Sequence, residues 1–192
     1  MDERQAIQAI RQGDLTGLEF IVRTYQVKAL RAAILVTRQR TLAEDIVQDS
    51  FLRLVRTVHS FDERRPFEPW FMRIVINAAV KAAQRASRRS FGSAGWEDDD
   101  FEKLLERYSP LADAAADQPE KAAEIFALQQ GIQAALAQLS PRQRAVIVGR
   151  YFLELDEKEL AAELSISPGT VKWLLHAARQ RLRALLGERS AW

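Results

Sequence analysis

Cations and aromatic rings occur together between residues 61 and 89 of the sequence. The aromatics are Phe61, Phe67, Trp70 and Phe71, and the cations are Arg64, Arg65, Arg73, Lys81, Arg85, Arg88 and Arg89. No acidic residue occurs from Pro69 to Trp96. Aromatic rings stack on bases and cations hold phosphates, so such a segment can retain an unpaired nucleic-acid strand without covalent chemistry. Trp70 and Phe71 also fit the buried side of an amphipathic helix, and packing is the favoured interpretation for these two rings.

Residues 155–186 have the pattern of two short helices joined by a tight turn. Asp156 and Glu159 fit a capping box at the first helix, and Ser167 followed by Pro168 fits the start of the second. This is a helix-turn-helix, which places its second helix in the DNA major groove. The apolar residues expected on its buried side are Val171, Leu174, Leu175, Ala178, Leu182 and Leu185. The residues expected on its outer side are Gly169, Trp173, His176, Gln180 and Arg183.

Covalent chemistry has little support in this sequence. The chain has no cysteine, and its two histidines, His59 and His176, are far apart in sequence. We find no phosphate-binding loop, no metal-ligand spacing and no nucleophile with a partner base. The sequence therefore predicts a protein that is not an enzyme and needs no metal or cofactor.

The composition is typical of a globular protein. The chain has 192 residues with 47% hydrophobic content, enough for at least one sizeable core. No apolar run approaches membrane-spanning length, so no membrane insertion is expected. The first residues are charged and lack an apolar signal core, which predicts a cytoplasmic location.

The net charge of +2 hides a strong asymmetry along the chain. Residues 1–90 carry a net charge of +6, residues 91–125 of −7 and residues 126–192 of +3. Two basic segments on either side of an acidic one suggest two nucleic-acid contacts joined by a segment that avoids DNA. Taken alone, charge runs of this kind are more often simply solvated surfaces.

Helical periodicity dominates and predicts an all-α fold of two helical domains. An N-terminal helical bundle is expected over residues 1–90, with Gly13 ending one helix and Asp14 capping the next. Residues 91–118, rich in Ser, Gly, Pro and acidic residues, predict a flexible linker, within which Phe101 to Tyr108 fit a short amphipathic helix. A C-terminal four-helix domain containing the helix-turn-helix is expected over residues 119–192, with one helix from Ser140 through Phe152.

Three blocks, in this order, resemble bacterial RNA polymerase sigma factors of the extracytoplasmic-function (ECF) type in the sigma-70 family. They are AEDIVQDSFLRLVRTV from Ala43, PWFMRIVINAA from Pro69, and LSPRQRAVIVGRYFLELDEKELAAELSISPGTVKWLLHAARQRL from Leu139. The resemblance implies a specificity subunit that binds core RNA polymerase, recognises the minus-ten and minus-thirty-five promoter elements and promotes strand opening. It also implies core contacts at the clamp helices of the largest subunit and at the flap region, and a probable anti-sigma factor as a further partner.

The resemblance assigns candidate residues to each contact. Those for core polymerase are Glu44, Asp45, Gln48, Asp49 and Leu52. Those for the minus-ten element are Asp62, Arg64, Arg65, Phe67, Trp70, Arg73, Asn77, Lys81, Arg85, Arg88 and Arg89, with residues 62–67 receiving a flipped base. Those for the minus-thirty-five element are Ser167, Thr170, Lys172, Trp173, His176, Arg179, Gln180 and Arg183.

The sequence departs from the resemblance in the second helix of the helix-turn-helix. Trp173 stands where the family commonly has a small residue, and Ala177 stands where it commonly has arginine. Trp173 could therefore contact a thymine methyl group, bind an inhibitor protein or pack against the preceding helix. The resemblance also directs the acidic residues Glu97 to Asp100 of the linker toward the polymerase cleft.

The sequence is also compatible with two other functions. A free-standing helix-turn-helix regulator would bind operator DNA without polymerase and would use the first domain for dimerisation or ligand sensing. An adaptor with a degenerate helix-turn-helix would bind polymerase without directing initiation, and Trp173 and Ala177 give that alternative some support.

Overall fold

The computed structural model describes residues 1–89, with side chains as far as residue 86, and residues 131–186. Every regular element in these ranges is helical, which confirms the predicted all-α class. The first domain contains α1 (Glu3–Arg11), α2 (Leu15–Thr37), α3 (Arg40–Thr57), a 3-10 helix (Val58–Ser60) and α4 (Phe67–Arg89). The second contains α5 (described over 131–137), α6 (Pro141–Ile147), a π-helical turn (Val148–Phe152), α7 (Glu157–Leu164) and α8 (Pro168–Leu186).

Local capping chemistry sets the helix ends of the first domain. The Asp2 side chain accepts from the Gln5 amide at 2.9 Å and Gln5 reciprocates, which forms a capping box at α1. The Asp14 side chain accepts from the Thr16 amide at 2.9 Å, and Gly13 lies between the two helices at φ +82°. These observations confirm the predicted break between α1 and α2.

The core of the first domain forms around α2, which packs against α1, α3 and α4. Gly17 allows α1 and α2 to approach closely, because a Cβ atom there would lie 2.3 Å from the Ala6 carbonyl oxygen. Aromatic rings join α3 to α4, and Phe51 stacks on Phe71 with ring centroids 4.8 Å apart. The position of α4 is therefore fixed by buried aromatic packing.

Helices α6, α7 and α8 of the second domain each begin with a side-chain cap, and the caps at Asp156 and Ser167 were predicted. The Ser140 side chain caps α6 through the Gln143 amide at 3.3 Å, and the Asp156 side chain accepts from the Glu159 amide at 2.7 Å. Ser167 caps α8 by accepting from the Thr170 amide at 3.1 Å. Helices α7 and α8 pack on one apolar cluster, forming the predicted helix-turn-helix.

The helix predicted from Ser140 through Phe152 is not uniform. Its α-helical part ends at Ile147 and the chain continues as a π-helical turn. Gly149 lies in that turn, and a Cβ atom there would lie 2.3 Å from Leu160 Cδ2. The wider turn accommodates close packing of α7, which periodicity alone does not reveal.

The two domains pack against each other. Ala145 and Val148 of the second domain are buried within the cluster formed by the first domain's helices. Leu35, Leu153 and Leu164 are half-buried and pack against the apolar clusters of both domains. The sequence predicted two domains but did not predict this contact.

Several sequence predictions lie outside the described residues. These are the 91–118 linker, its helix near Phe101 to Tyr108, the acidic run Glu97 to Asp100 and the start of the helix predicted from residue 119. Within the described part of the chain, no helix combines the length and the apolar character needed to cross a membrane.

Candidate nucleic-acid interface

A row of polar side chains follows α4 at intervals of four residues. Arg73, Asn77, Lys81 and Arg85 form this row, which we call the α4 ladder. Residues four apart lie one above another on a helix, so the ladder occupies one side of α4. The opposite side carries Phe71, Val75 and Ala79, all fully buried.

Of the α4 ladder, Asn77 alone is half-buried and the three cations are exposed. Lys81 and Arg85 are exposed, the Arg73 side chain is 44% exposed, and Asn77 is half-buried. The side chains of Arg88 and Arg89, two further predicted phosphate contacts, lie outside the described residues. The part of α4 beyond residue 80 therefore offers accessible cations to a nucleic-acid backbone.

The loop before α4 carries charged groups at the surface. Arg64 has a side chain that is 90% exposed, and its Nε donates to Asp62 Oδ1 at 3.0 Å. The hydrogen bonds from Arg64 lower the pKa of the Asp62 carboxyl. Arg11 of α1 holds this loop against the first domain, because its Nη2 donates to the Phe61 carbonyl at 2.7 Å. Arg65 is also exposed.

The structure corrects the prediction for Phe67. Its ring is 1% exposed and lies among Tyr25, Phe61, Trp70 and Phe71, so it has no surface to offer to a base. A ring at the first position of α4 faces inward because the helix begins over the aromatic core.

The neighbouring rings Phe71 and Trp70 differ from each other in burial. Phe71 is fully buried, which confirms its interpretation as a packing residue. Trp70 packs on Phe61 and Phe67, with ring centroids 5.1 Å and 5.7 Å away, but stays half-exposed. Trp70 is therefore the partly accessible ring of this segment.

A second polar face lies on α3. Asp45, Gln48, Asp49 and Leu52 are exposed there, and the Leu52 residue is 58% exposed. Glu44 is half-buried and accepts from Arg40 Nε at 2.8 Å. An acidic face with one large exposed apolar side chain suits a basic protein partner. We call these five residues the α3 face.

The outer side of α8 is exposed as predicted. Trp173 is 65% exposed, and His176, Gln180 and Arg183 are exposed along the same side. Leu185, predicted on the buried side, is 44% exposed, whereas the next residue, Leu186, packs against the apolar cluster. These outer residues provide a long accessible helix surface of the kind that enters a major groove.

Other predicted residues of α8 already have partners in the chain. The Ser167 and Thr170 hydroxyls lie 2.8 Å apart at the helix start, and Lys172 Nζ lies 3.7 Å from Glu157 Oε2. Arg179 is half-buried and its Nε donates to the Leu175 carbonyl at 3.3 Å. The Ser167–Thr170 and Arg179–Leu175 hydrogen bonds are local, and Lys172 pairs with Glu157 of α7 at the surface. These side chains can exchange their partners for phosphate oxygens.

Sequence reasoning missed Glu163 of α7, which lies against the α4 ladder. Asn77 Nδ2 donates to the Glu163 carbonyl at 2.7 Å, and Arg73 Nε lies 4.0 Å from Glu163 Oε2. The side chain of Glu163 is 16% exposed, and burial raises its pKa to about 7 although Arg73 opposes that rise. Nothing in the local sequence signals this contact, because the two helices come from different domains.

Two family models match the chain. The model described as Sigma-70 region 2 matches residues 21–89, and the model described as Sigma-70 region 4 matches residues 129–182. Among curated proteins, the ECF RNA polymerase sigma factor SigW of Bacillus subtilis is 30% identical over 183 residues, which cover 95% of this chain and 96% of that protein. The RNA polymerase sigma-E factor of Streptomyces coelicolor is 30% identical over 171 residues, which cover 89% of this chain and 86% of that protein.

Two solved structures resemble the fold. The structure of CnrH in complex with the cytosolic domain of CnrY has a TM-score of 0.62 at 25% identity and covers 98% of this chain and 99% of that one. The sigma factor RpoE in complex with the anti-sigma factor NepR, from Bartonella quintana, has a TM-score of 0.60 at 20% identity. The match covers 90% of this chain and 99% of that one. At that identity the second likeness concerns the fold alone.

Proposed function

Because this chain belongs to the sigma-70 family and is a sigma factor of the ECF type, we propose that three of its exposed faces each make one contact in transcription initiation. As a sigma factor it directs RNA polymerase to promoters. The assignment of faces rests most strongly on the α4 ladder, a row of polar side chains that includes the exposed cations Arg73, Lys81 and Arg85.

The α4 ladder and the loop before it would hold the non-template strand of the minus-ten element. Lys81 and Arg85 would contact phosphates, and exposed Arg64 and Arg65 would flank the point where the strand enters. Trp70, half-exposed beside them, is the ring available for stacking on a base. Strand opening then needs no covalent chemistry, because binding of the unpaired strand shifts the equilibrium from duplex toward open DNA.

The outer side of α8 would read the minus-thirty-five element. Trp173 lies on this side without a stacking partner among the ring contacts of the described residues, and an aromatic ring there can cover a thymine methyl group. His176, Gln180 and Arg183 would continue the contact along the groove. Reading both elements at once requires the two domains to separate along the DNA.

The α3 face would bind the core enzyme. Its exposed acidic residues suit the basic surface of a partner helix, and Leu52 supplies apolar contact beside them. An anti-sigma factor is a further expected partner, because both solved relatives are two-protein complexes, one of them with an anti-sigma factor. A working location in the cytoplasm follows from dependence on polymerase and chromosomal DNA.

In vitro transcription from a pool of promoter fragments tests this function. Core polymerase should initiate from a sequence-defined subset only when the purified chain is added. A parallel duplex-binding assay without polymerase should give weak binding. Tight operator binding by the chain alone, with no gain in initiation, would instead identify a free-standing regulator.

Charge reversal on the α3 face should weaken binding to core polymerase. The double variant Asp45→Lys, Asp49→Lys places two cations where a basic partner is expected, and we predict at least tenfold weaker binding, or about 1.4 kcal/mol. Titration of labelled chain with core enzyme measures this effect.

The matched control is Glu19→Lys, a reversal of an exposed carboxylate on α2, outside the α3 face. It should bind core as the unmodified chain does. Equal affinities for the double variant and the control would show that the α3 face does not bind core.

A further inference from the structure

Arg11, the last residue of α1, binds the chain that leads from α3 into α4. Its Nη2 donates to the Phe61 carbonyl at 2.7 Å, and its Nε donates to the Val58 carbonyl at 3.3 Å. Its Nη1 pairs with the Glu63 carboxylate. The planar guanidinium group carries five N–H donors in fixed directions, so one side chain can bind two carbonyls and a carboxylate at once.

Gln8, one turn earlier in α1, binds the same carboxylate. Its Nε2 donates to Glu63 Oε1 at 2.6 Å. Residues three apart lie on one face of a helix, so Gln8 and Arg11 hold Glu63 from the same side. The Arg11 side chain is only 21% exposed, which limits competition from water for these bonds. The loop before α4, residues 61–66, is therefore fastened to α1 through Glu63 and the Phe61 carbonyl.

The ends of this loop are fixed by the aromatic core. Phe61 is 5% exposed and Phe67, which follows the loop, is 1% exposed, and their ring centroids lie 5.4 Å apart. Between them the Arg65 amide donates to the Asp62 carbonyl at 2.9 Å, which closes a turn. Glu63 lies in this turn, so its bonds to α1 hold a part of the loop that carries no buried ring.

Glu63 is also an acidic group beside the cations proposed to meet the minus-ten strand. Arg64 and Arg65 follow it directly in the chain and are exposed. An unpaired carboxylate there would repel a phosphate backbone and attract these cations to itself. Because Arg11 pairs with it, the carboxylate is directed toward α1 and its charge is balanced. Arg11 thus affects both the shape of the loop and the charge of its surface.

We propose that Arg11 is a positioning residue for promoter recognition: it holds the loop before α4 in a single conformation that receives a base of the minus-ten strand. The proposal rests on the proposed function of this loop in strand binding. Arg11 acts through Glu63 and the Phe61 carbonyl, without a contact of its own to base or phosphate. It lies outside residues 21–89, the range that matches the Sigma-70 region 2 model, so the family match does not assign it this role.

A loop that is held before binding discriminates between bases better than one that adapts. A preorganised loop has no ordering cost when the fitting base binds, so that base binds more tightly. A base that does not fit meets groups that cannot move to accommodate it, and its polar atoms stay unpaired. Loss of Arg11 should therefore weaken binding of the preferred base and admit the others at the position that enters the loop.

Hydrogen exchange in the full chain tests the positioning. The amides that donate hydrogen bonds within this segment, at 2.9 to 3.1 Å, are those of Phe61, Arg64 and Arg65. Arg11→Met removes the donors but keeps an aliphatic side chain of similar length, so the peptide covering residues 61–67 should exchange about tenfold faster. Arg4→Met, at an exposed position of the same helix, is the matched control and should leave the exchange unchanged.

Base discrimination by the holoenzyme tests what the positioning does. The probes are single-stranded minus-ten oligonucleotides from the promoter that the transcription assay selects, with each base replaced in turn. Arg11→Met should lower the preference for the selected base about tenfold at the one position that enters the loop. The slope of log affinity against log salt should not change, because Lys81 and Arg85 still contact phosphates.

Arg11→Lys is a milder second variant, and circular dichroism melting establishes that each variant folds. It keeps a charge opposite Glu63, but an ammonium group is a compact point charge that cannot bind the same carbonyls in fixed directions. We expect its preference for the selected base to fall about threefold, between the unmodified chain and Arg11→Met.

Two results would overturn the proposal. One is unchanged exchange, or unchanged base preference at every position, in both Arg11 variants. The other is an equal loss of affinity for all probes and for core polymerase, since this would mean that Arg11 only stabilises the domain. Normal discrimination by the unmodified holoenzyme beside either result leaves the sigma role in place and removes the role of Arg11, whereas no discrimination by the unmodified holoenzyme would remove the proposed function itself.

Discussion

Simultaneous reversal of Lys81 and Arg85 to glutamate should abolish promoter opening by the holoenzyme. Both side chains are exposed at the end of the α4 ladder that lies beyond the domain junction. A cation–phosphate contact at 4 Å in water contributes about 1 kcal/mol, and reversal replaces it with repulsion of similar size before screening by salt. We therefore expect strand affinity to fall on the order of a hundredfold.

Permanganate footprinting of the holoenzyme on a promoter measures the opening, and fluorescence anisotropy measures strand binding. The salt dependence gives a second readout, since loss of two phosphate contacts should reduce the slope of log affinity against log salt by about 1.4 for a single strand. The control is Arg4→Glu with Lys158→Glu, which reverses two exposed cations elsewhere. Normal opening by the ladder variant, with core binding intact, would remove α4 from the strand-binding site.

Replacement of Phe71 by alanine should remove a large part of the stability of the first domain. The ring is fully buried and lies 4.8 Å from Phe51 and 6.0 Å from Phe67, centroid to centroid. Truncation of a buried phenylalanine costs about 3–5 kcal/mol, against a total stability of about 5–15 kcal/mol for a typical domain. Because α4 carries the ladder, strand binding should fall in proportion to the fraction of chains that unfold.

Chemical denaturation followed by circular dichroism measures this effect. Leu15→Ala is the matched control, because Leu15 is 69% exposed and its truncation should change the free energy of unfolding by no more than about 0.5 kcal/mol. A loss below about 1 kcal/mol in Phe71→Ala would mean that the aromatic cluster repacks around the missing ring.

Local chemistry explains why the helices could be predicted. The carboxylates of Asp14 and Asp156 and the hydroxyl of Ser140 accept from amides two or three residues away, so their effect depends only on nearby sequence. The four-residue spacing of the ladder likewise follows from helix geometry. These features involve contacts within one helix, which the order of residues determines directly.

The burial of individual side chains was predicted less well. Phe67 was assigned to DNA and is buried, and Leu185 was assigned to the core and is 44% exposed. Both lie at helix ends, where the extent of the neighbouring elements decides whether a side chain is covered. The π-helical turn around Gly149 has the same origin, since it depends on the approach of Leu160 from α7.

The sequence by itself determined the all-helical class, the helix starts, the helix-turn-helix and the family. Only the tertiary structure decided that the two domains meet, that Arg144 of α6 donates to the Val36 carbonyl of α2, and that Asn77 of α4 donates to the Glu163 carbonyl of α7. The physical reason is distance along the chain. A hydrogen bond between residues 86 or 108 positions apart depends on how two separately folded surfaces fit, and no local periodicity records that fit.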